Sequence, residues 1–241
     1  MTVRGRGAGR VGRVLVVTDR AQVPPGRDLL DVVAAALDGG ADGILVRERH
    51  LPDAQRARLV EATAVLCAEA GALLVVAAPL LGPSGMHGAP RSPRPIQGAG
   101  VHLRSVDVDV DLVSAAVVGR SCHGVADLVR AADDGLDYVT LSPVAASASK
   151  PGYGPALGYE GLRTTLATAR RVRRTLPAVL ALGGVEPHDA GRWVGAGADG
   201  VAVMGAVMRA SDPRATTRAL VAAVDAALAR RPPRDSKAPA T

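Results

Sequence analysis

Eight short apolar runs punctuate this chain, and stretches with apolar residues on one helical face lie between most of them. The runs 14–18, 43–47, 73–77, 100–103, 117–121, 138–141, 178–182 and 200–204 predict strands. The intervening patterns predict helices over 27–37, 53–70, 112–116, 125–133, 159–176, 187–196 and 212–230. The strand runs are apolar at nearly every position rather than at alternate ones, which suits a parallel sheet covered on both faces. Eight strand–helix units predict an α/β fold of one closed (β/α)8 TIM barrel. The barrel is expected over 14–230, between a basic N-terminal tail at 1–13 and a C-terminal tail at 231–241.

An internal echo supports equivalent units. Gly40-Ala41-Asp42-Gly43-Ile44, Gly135-Leu136-Asp137-Tyr138-Val139 and Gly197-Ala198-Asp199-Gly200-Val201 each stand between a helix pattern and a strand. Gly suits the left-handed residue that ends a helix, and Asp suits the turn that follows. These joints lie at the N-terminal end of the strands, where barrel residues serve stability. The segment 79–98, with its prolines, glycines and Met86-His87, interrupts the rhythm where a third helix is expected.

Nearly half the residues are apolar, so a large core is available, but there is no Phe, one Trp and three Tyr. Ala, Val and Leu must fill the interior. The net charge of +6 has a local origin: Arg4, Arg6, Arg10 and Arg13 crowd one end, and Arg230, Arg231, Arg234 and Lys237 the other. Neither aromatic interleaving nor a recognisable module accompanies them, which argues against nucleic acid as a partner. No apolar run approaches the roughly 18 residues of a membrane helix, and the basic start leads into only a short apolar run. A cytoplasmic protein without a membrane partner is expected, and a homo-oligomer is left open. Cys67 and Cys122 have no metal or redox spacing.

Candidate chemistry gathers where strands end. Arg47 and Arg49 share one face of the second strand end, and their guanidinium forks suit a phosphate. The plain alternative is a solvated strand end. Ser121 and His123 share a face at the end of the fifth strand, where an imidazole is placed for proton transfer. His102, within the fourth strand, reads as packed. Asp107 is a candidate metal carboxylate, with Asp109 and Asp111 explained by a turn. Ser147, Ser149 and Lys150 offer hydroxyls and a point charge to phosphate oxygens. Gly183 and Gly184 end the seventh strand and Gly205 the eighth, which is the usual phosphate end of a TIM barrel.

Taken in order, these pieces resemble the thiamine phosphate synthase/TenI family over nearly the whole of 14–228. The resemblance is carried by Val17-Thr18-Asp19-Arg20, Arg47-Glu48-Arg49, Gly100-Val101-His102-Leu103 with Asp107, and Gly119-Arg120-Ser121-Cys122-His123. It continues through Ser142-Pro143-Val144, Ser147-Ala148-Ser149-Lys150, Leu182-Gly183-Gly184-Val185 and the stretch 197–206. The resemblance implies a phosphorylated thiazole as ligand, held by Gly183, Gly184 and Gly205. In the synthase branch a pyrimidine pyrophosphate and Mg²⁺ join it, and the rings are coupled with loss of pyrophosphate. Arg47, Arg49, Ser147, Ser149 and Lys150 would then face the pyrophosphate, with Asp107 and Ser121 near the metal.

The chain departs from the synthase pattern in three places. Leu45 replaces a Gln, Arg49 replaces a Lys, and the third strand ends in Ala77-Ala78 where that pattern has an Asn-Asp pair. The Arg-Glu-Arg and Gly-Arg-Ser-x-His stretches resemble the TenI branch. The expectation is therefore a TenI-like thiazole tautomerase with His123 as acid/base and no cofactor. The alternatives are a thiamine phosphate synthase with an altered Mg²⁺ site, and a phosphate-binding barrel without catalysis.

Overall fold

A computed structural model describes residues 11–78, 98–107, 115–146 and 155–231. The strands are β1 (Val14–Val17), β2 (Gly43–Val46), β3 (Leu73–Ala77), β4 (Gly100–Leu103), β5 (Val118–Cys122), β6 (Tyr138–Leu141), β7 (Ala178–Leu182) and β8 (Gly200–Val203). Each pairs in parallel with its neighbours in sequence, and β8 closes on β1, giving a barrel in the order β1 to β8. The expected fold is formed.

Helices α1 (Leu29–Asp38), α2 (Asp53–Ala70), α3 (Val125–Asp133), α4 (Gly158–Val172), α5 (Ala190–Gly195), α6 (Gly205–Met208) and α7 (Pro213–Ala229) flank it. Local signals explain the ends. The Asp28 and Asp212 carboxylates accept the N–H groups of Leu30 and Ala215, capping α1 and α7, and Gly71 ends α2 in the left-handed region. α5 is shorter than its sequence pattern because Asp189 accepts the Glu186 N–H, holding Pro187 and His188 in a turn. α6 is too short to show a period and was not anticipated. The expected helix at 112–116 falls mostly outside the described residues, and Ala115 and Ala116 are not helical.

Alternation along the strands separates two cores. Val14, Val16, Ile44, Val46, Leu74 and Val179 pack outward against the helices, while Leu15, Val17, Leu45, Val75, Ala77, Tyr138, Leu180 and Ala202 fill the barrel. Tyr138 supplies the interior bulk that the missing Phe residues would otherwise provide. Gly119, its register partner on β5, makes the room: a Cβ there would lie 2.2 Å from the tyrosine ring.

The repeated joints do more than turn. The Asp42, Asp137 and Asp199 carboxylates accept N–H groups at the starts of β1, β5 and β7, from Val14, Val118 and Val179, at 2.9, 2.7 and 3.0 Å. Each therefore ties the strand it precedes to the strand before. Arg13, in the stretch read as tail, bonds Asp42 and Asp225, and Arg231 bonds Asp199 and the Gly197 and Ala198 carbonyls.

Candidate active site

The C-terminal strand ends open into one cavity of about 790 Å³. Arg47 and Arg49 enter it from β2, His102 and Arg104 from β4, Ser121 and His123 from β5. Gly183, Gly184 and Glu186 enter after β7, and Gly205 and Arg209 after β8. Strand order puts the arginines of β2 and β4 across the barrel from the glycines of β7 and β8.

The arginine wall is built by alternation. The Arg47 N–H donates to the buried Thr18 hydroxyl at 3.0 Å, fixing the strand end, while Glu48 turns away and accepts the Arg20 N–H at 3.0 Å. Arg47 and Arg49 therefore point the same way. Burial, with Arg47 and Arg104 beside it, lowers the Arg49 guanidinium to about 10, so it stays charged at neutral pH. Its Nε is buried without a hydrogen-bond partner among the described residues. Neither Arg47 nor Arg49 forms an ion pair among the described residues. Arg104 grips Asp107: Nε and Nη2 reach Oδ1 at 2.8 and 2.6 Å, and the Arg104 N–H reaches Oδ2 at 2.8 Å. Burial alone would raise the Asp107 carboxyl, but its bonds to Arg104 outweigh this and hold it below the usual range.

Beneath this wall runs a chain of neutral groups. His102 Nδ1 lies 2.9 Å from the Tyr138 hydroxyl and Nε2 lies 3.0 Å from Ser121 Oγ. Burial first, then Arg49 and Arg47, lower His102 to about 3, so the ring is neutral. Burial raises the Tyr138 phenol, and His102 is its only hydrogen-bond partner among the described residues. Tyr138 therefore donates to Nδ1, Nε2–H donates to Ser121, and the Ser121 hydroxyl hydrogen is left to face the cavity. The sequence reading of His102 as packed holds, and the ring also orients Ser121.

His123 is exposed at the rim. Its N–H donates to Asp127 at 2.8 Å, and Nδ1 donates to the Ser142 carbonyl at 2.8 Å. The imidazole thereby bridges the ends of β5 and β6.

The glycine wall is made of backbone. Gly183 and Gly184 lie at φ +100° and +68°, a region that L side chains rarely enter. The loop after β6 presses against them: Val144 and Ala145 N–H groups donate to the Leu182 and Gly183 carbonyls, and a Cβ at Gly184 would lie 2.4 Å from the Ala146 oxygen. Gly205 opens α6, and Arg209 folds back over it to Gln22.

Seven residues expected at the site line the one cavity: Arg47, Arg49, Ser121, His123, Gly183, Gly184 and Gly205. Asp107 lies beside it on Arg104. Ser147, Ser149, Lys150 and His87 lie outside the described residues. Arg104 and Arg209 were missed. Their signal was positional: Arg104 directly follows β4, and Arg209 follows the short α6 after β8. Both cysteines are buried, and burial pushes Cys67 to about 11 and Cys122 to about 12, leaving no thiolate for chemistry.

A family model described as thiamine monophosphate synthase matches residues 14–207. The chain belongs to that family. It is similar to the thiamine-phosphate synthase of Roseiflexus castenholzii, 36% identical over 214 residues, covering 87% of this chain and 86% of the relative. It is equally similar to that of Methanoculleus marisnigri, 36% identical over 211 residues, covering 85% and 92%. The solved thiamine phosphate pyrophosphorylase of Pyrococcus furiosus superposes with a TM-score of 0.70 at 24% identity, covering 90% and 96%, which supports the barrel. The relatives bear the synthase name, whereas the expectation from the Arg-Glu-Arg and His123 stretches put the tautomerase first. Those short stretches do not separate the branches.

The family resemblance implies Mg²⁺ for coupling, and the residues present do not fit a protein-held ion. Magnesium needs oxygen ligands with carboxylate charge. Ala77 and Ala78 end β3 without a donor side chain, and both Asp107 oxygens are engaged by Arg104. No cluster of three or more His, Cys, Asp or Glu side chains suited to a metal occurs among the described residues.

Proposed function

We propose that this member of the thiamine monophosphate synthase family couples a pyrimidine diphosphate to a thiazole phosphate with release of pyrophosphate. One observation carries the reading: a single cavity has two opposed anion-friendly walls, one of backbone and one of guanidinium groups. The glycine wall suits the monophosphate, since Gly183, Gly184 and Gly205 let backbone N–H groups approach its oxygens. The arginine wall suits the diphosphate. Three guanidiniums exceed what a single carboxylate needs, and this weighs against the tautomerase substrate.

The chemistry follows from that placement. The thiazole nitrogen lone pair forms a bond to the pyrimidine methylene carbon as that carbon's bond to oxygen breaks, and the electron pair of the broken bond leaves with pyrophosphate. Negative charge grows on the departing oxygens, and Arg47, Arg49 and Arg104 are already in place to receive it. Each charge-assisted hydrogen bond supplies about 1.5–3 kcal/mol. The Ser121 hydroxyl adds a donor whose direction is fixed by His102 and Tyr138. His123 holds the β6 loop through Ser142 and moves no proton in this reaction.

Purified protein given both substrates should release pyrophosphate in step with the joined product. His123→Ala should keep that activity within about tenfold, the loss of one neutral hydrogen bond. Aromatisation of the thiazole phosphate carboxylate, abolished in His123→Ala and without pyrophosphate release, would replace coupling by the tautomerase. Binding of thiazole phosphate without turnover in either assay would leave a non-catalytic barrel.

A further inference from the structure

We propose that this chain holds a diphosphate group on Arg47, Arg49 and Arg104 directly, with no divalent cation bound at Asp107. The identity of the anion rests on the coupling reading above; the absence of a cation from the subsite does not.

Charge on the page supports it. Three guanidiniums face one carboxylate, and three minus one leaves two positive charges at this wall. A dication placed there would add to the excess, whereas a diphosphate cancels it. Asp107, the one candidate metal carboxylate on this side among the described residues, has Oδ1 on Arg104 Nε and Nη2 and Oδ2 on the Arg104 N–H. Its charge is already spent on a cation that belongs to the protein. The neighbouring strand end offers Ala77 and Ala78, and the Ala77 carbonyl is taken by the buried Arg56 guanidinium. Thus even the backbone oxygen at the end of β3 is occupied by a positive group.

The arginines are also poised for a ligand. Arg49 Nε is buried without a partner among the described residues, and Arg47 and Arg104 crowd the same guanidinium. Like charges held together in a partly desolvated pocket are unfavourable until an anion enters. Arginine forks match phosphate oxygens in a bidentate manner. An anion spanning Arg49 and Arg104 would therefore gain both hydrogen bonds and relief of repulsion.

Calorimetric titration of the full chain with inorganic pyrophosphate tests this without turnover. Binding is expected in EDTA. Excess Mg²⁺ should weaken it, because the cation competes with the arginines for the same anion. Arg104→Ala and Arg49→Lys should each weaken binding in EDTA roughly tenfold. Asp107→Asn should leave it unchanged or tighten it, since a negative charge beside the anion is removed. Arg104 is half-exposed, so its variant is expected to keep the wild-type circular dichroism and melting temperature. Binding seen only with Mg²⁺, or lost in Asp107→Asn, overturns the proposal. The coupling assay is scored separately: turnover with Mg²⁺-dependent pyrophosphate binding rejects this inference alone, and EDTA-resistant binding without turnover rejects coupling alone.

Discussion

The two walls of the cavity offer an anion different partners. The glycine wall works through backbone, so its chemistry depends on conformation: φ +100° and +68° at Gly183 and Gly184, with the β6 loop packed against them. The arginine wall works through side chains on β2 and β4, so its chemistry depends on residue identity. Backbone recognition is hard to change without damaging the fold. Side-chain recognition can be rewritten one residue at a time, and here it carries Leu45, Arg49, Arg104 and the Ala77-Ala78 end of β3. On the proposed reading, the glycine side recognises a monophosphate through conformation, while the arginine side determines what is joined to it.

That contrast can be broken most directly by Arg47→Ala combined with Arg49→Ala. Losing two charge-assisted contacts at about 1.5–3 kcal/mol each should lower kcat/KM for coupling by roughly 10²–10⁴. The ligand-free melting temperature should hold or rise, because like charges have been removed. A wall that melts when its arginines go is a structural feature, and the distinction fails.

Gly184→Ala should behave in the opposite way. A left-handed Ala costs about 1–2 kcal/mol, and its methyl group meets the Ala146 carbonyl. Thermal melting should report lower stability, and thiazole phosphate affinity should fall roughly tenfold or more, with pyrophosphate binding in EDTA little altered. Equal losses for both ligands would show that the walls are one site.

A smaller effect lies beneath the arginine wall. His102 has its folded pKa lowered to about 3, against about 6.5 when unfolded. The unfolded chain therefore binds the extra proton first on acidification. The contribution of this group to stability is complete above pH 6.5, and is lost progressively as pH falls toward 3, by at most about 1.4 kcal/mol per unit. Chemical denaturation at pH 7 and pH 5 should show the loss, and His102→Gln should flatten it. An unchanged slope in that variant would place the acid sensitivity elsewhere.

How much of this was legible in the sequence follows from what each signal depends on. Strands showed themselves because Val, Leu and Ile fill both faces, and α2 because Gly71 marks its end. The glycine wall was legible because glycine after an apolar strand has few other uses at that end of a barrel. Ser121 and His123 fell on one face through simple alternation. Arg104 escaped because its role is defined by Asp107, three residues on, and Arg209 because α6 has only four residues. The Tyr138–His102–Ser121 chain could not be read from one strand at a time. It needs the register, in which His102 and Tyr138 both sit opposite Gly119 and Ser121 stands two residues above it. The order of the two reactions inverted for a related reason: short motifs around His123 name a residue, but not the bond it acts on.

The carboxylates at the closed end of the barrel divide it into quarters. Asp42 latches β1 as β2 begins, Asp137 latches β5 as β6 begins, and Asp199 latches β7 as β8 begins. The remaining quarter, β3 and β4, has Ala99 where an aspartate would stand, and its alignment rests on the strand ladder without such a latch. It is the same quarter that carries Ala77-Ala78 and Arg104. Among the described residues, the quarter without a carboxylate latch at its base is also the one whose β3 end brings no donor side chain to the cavity.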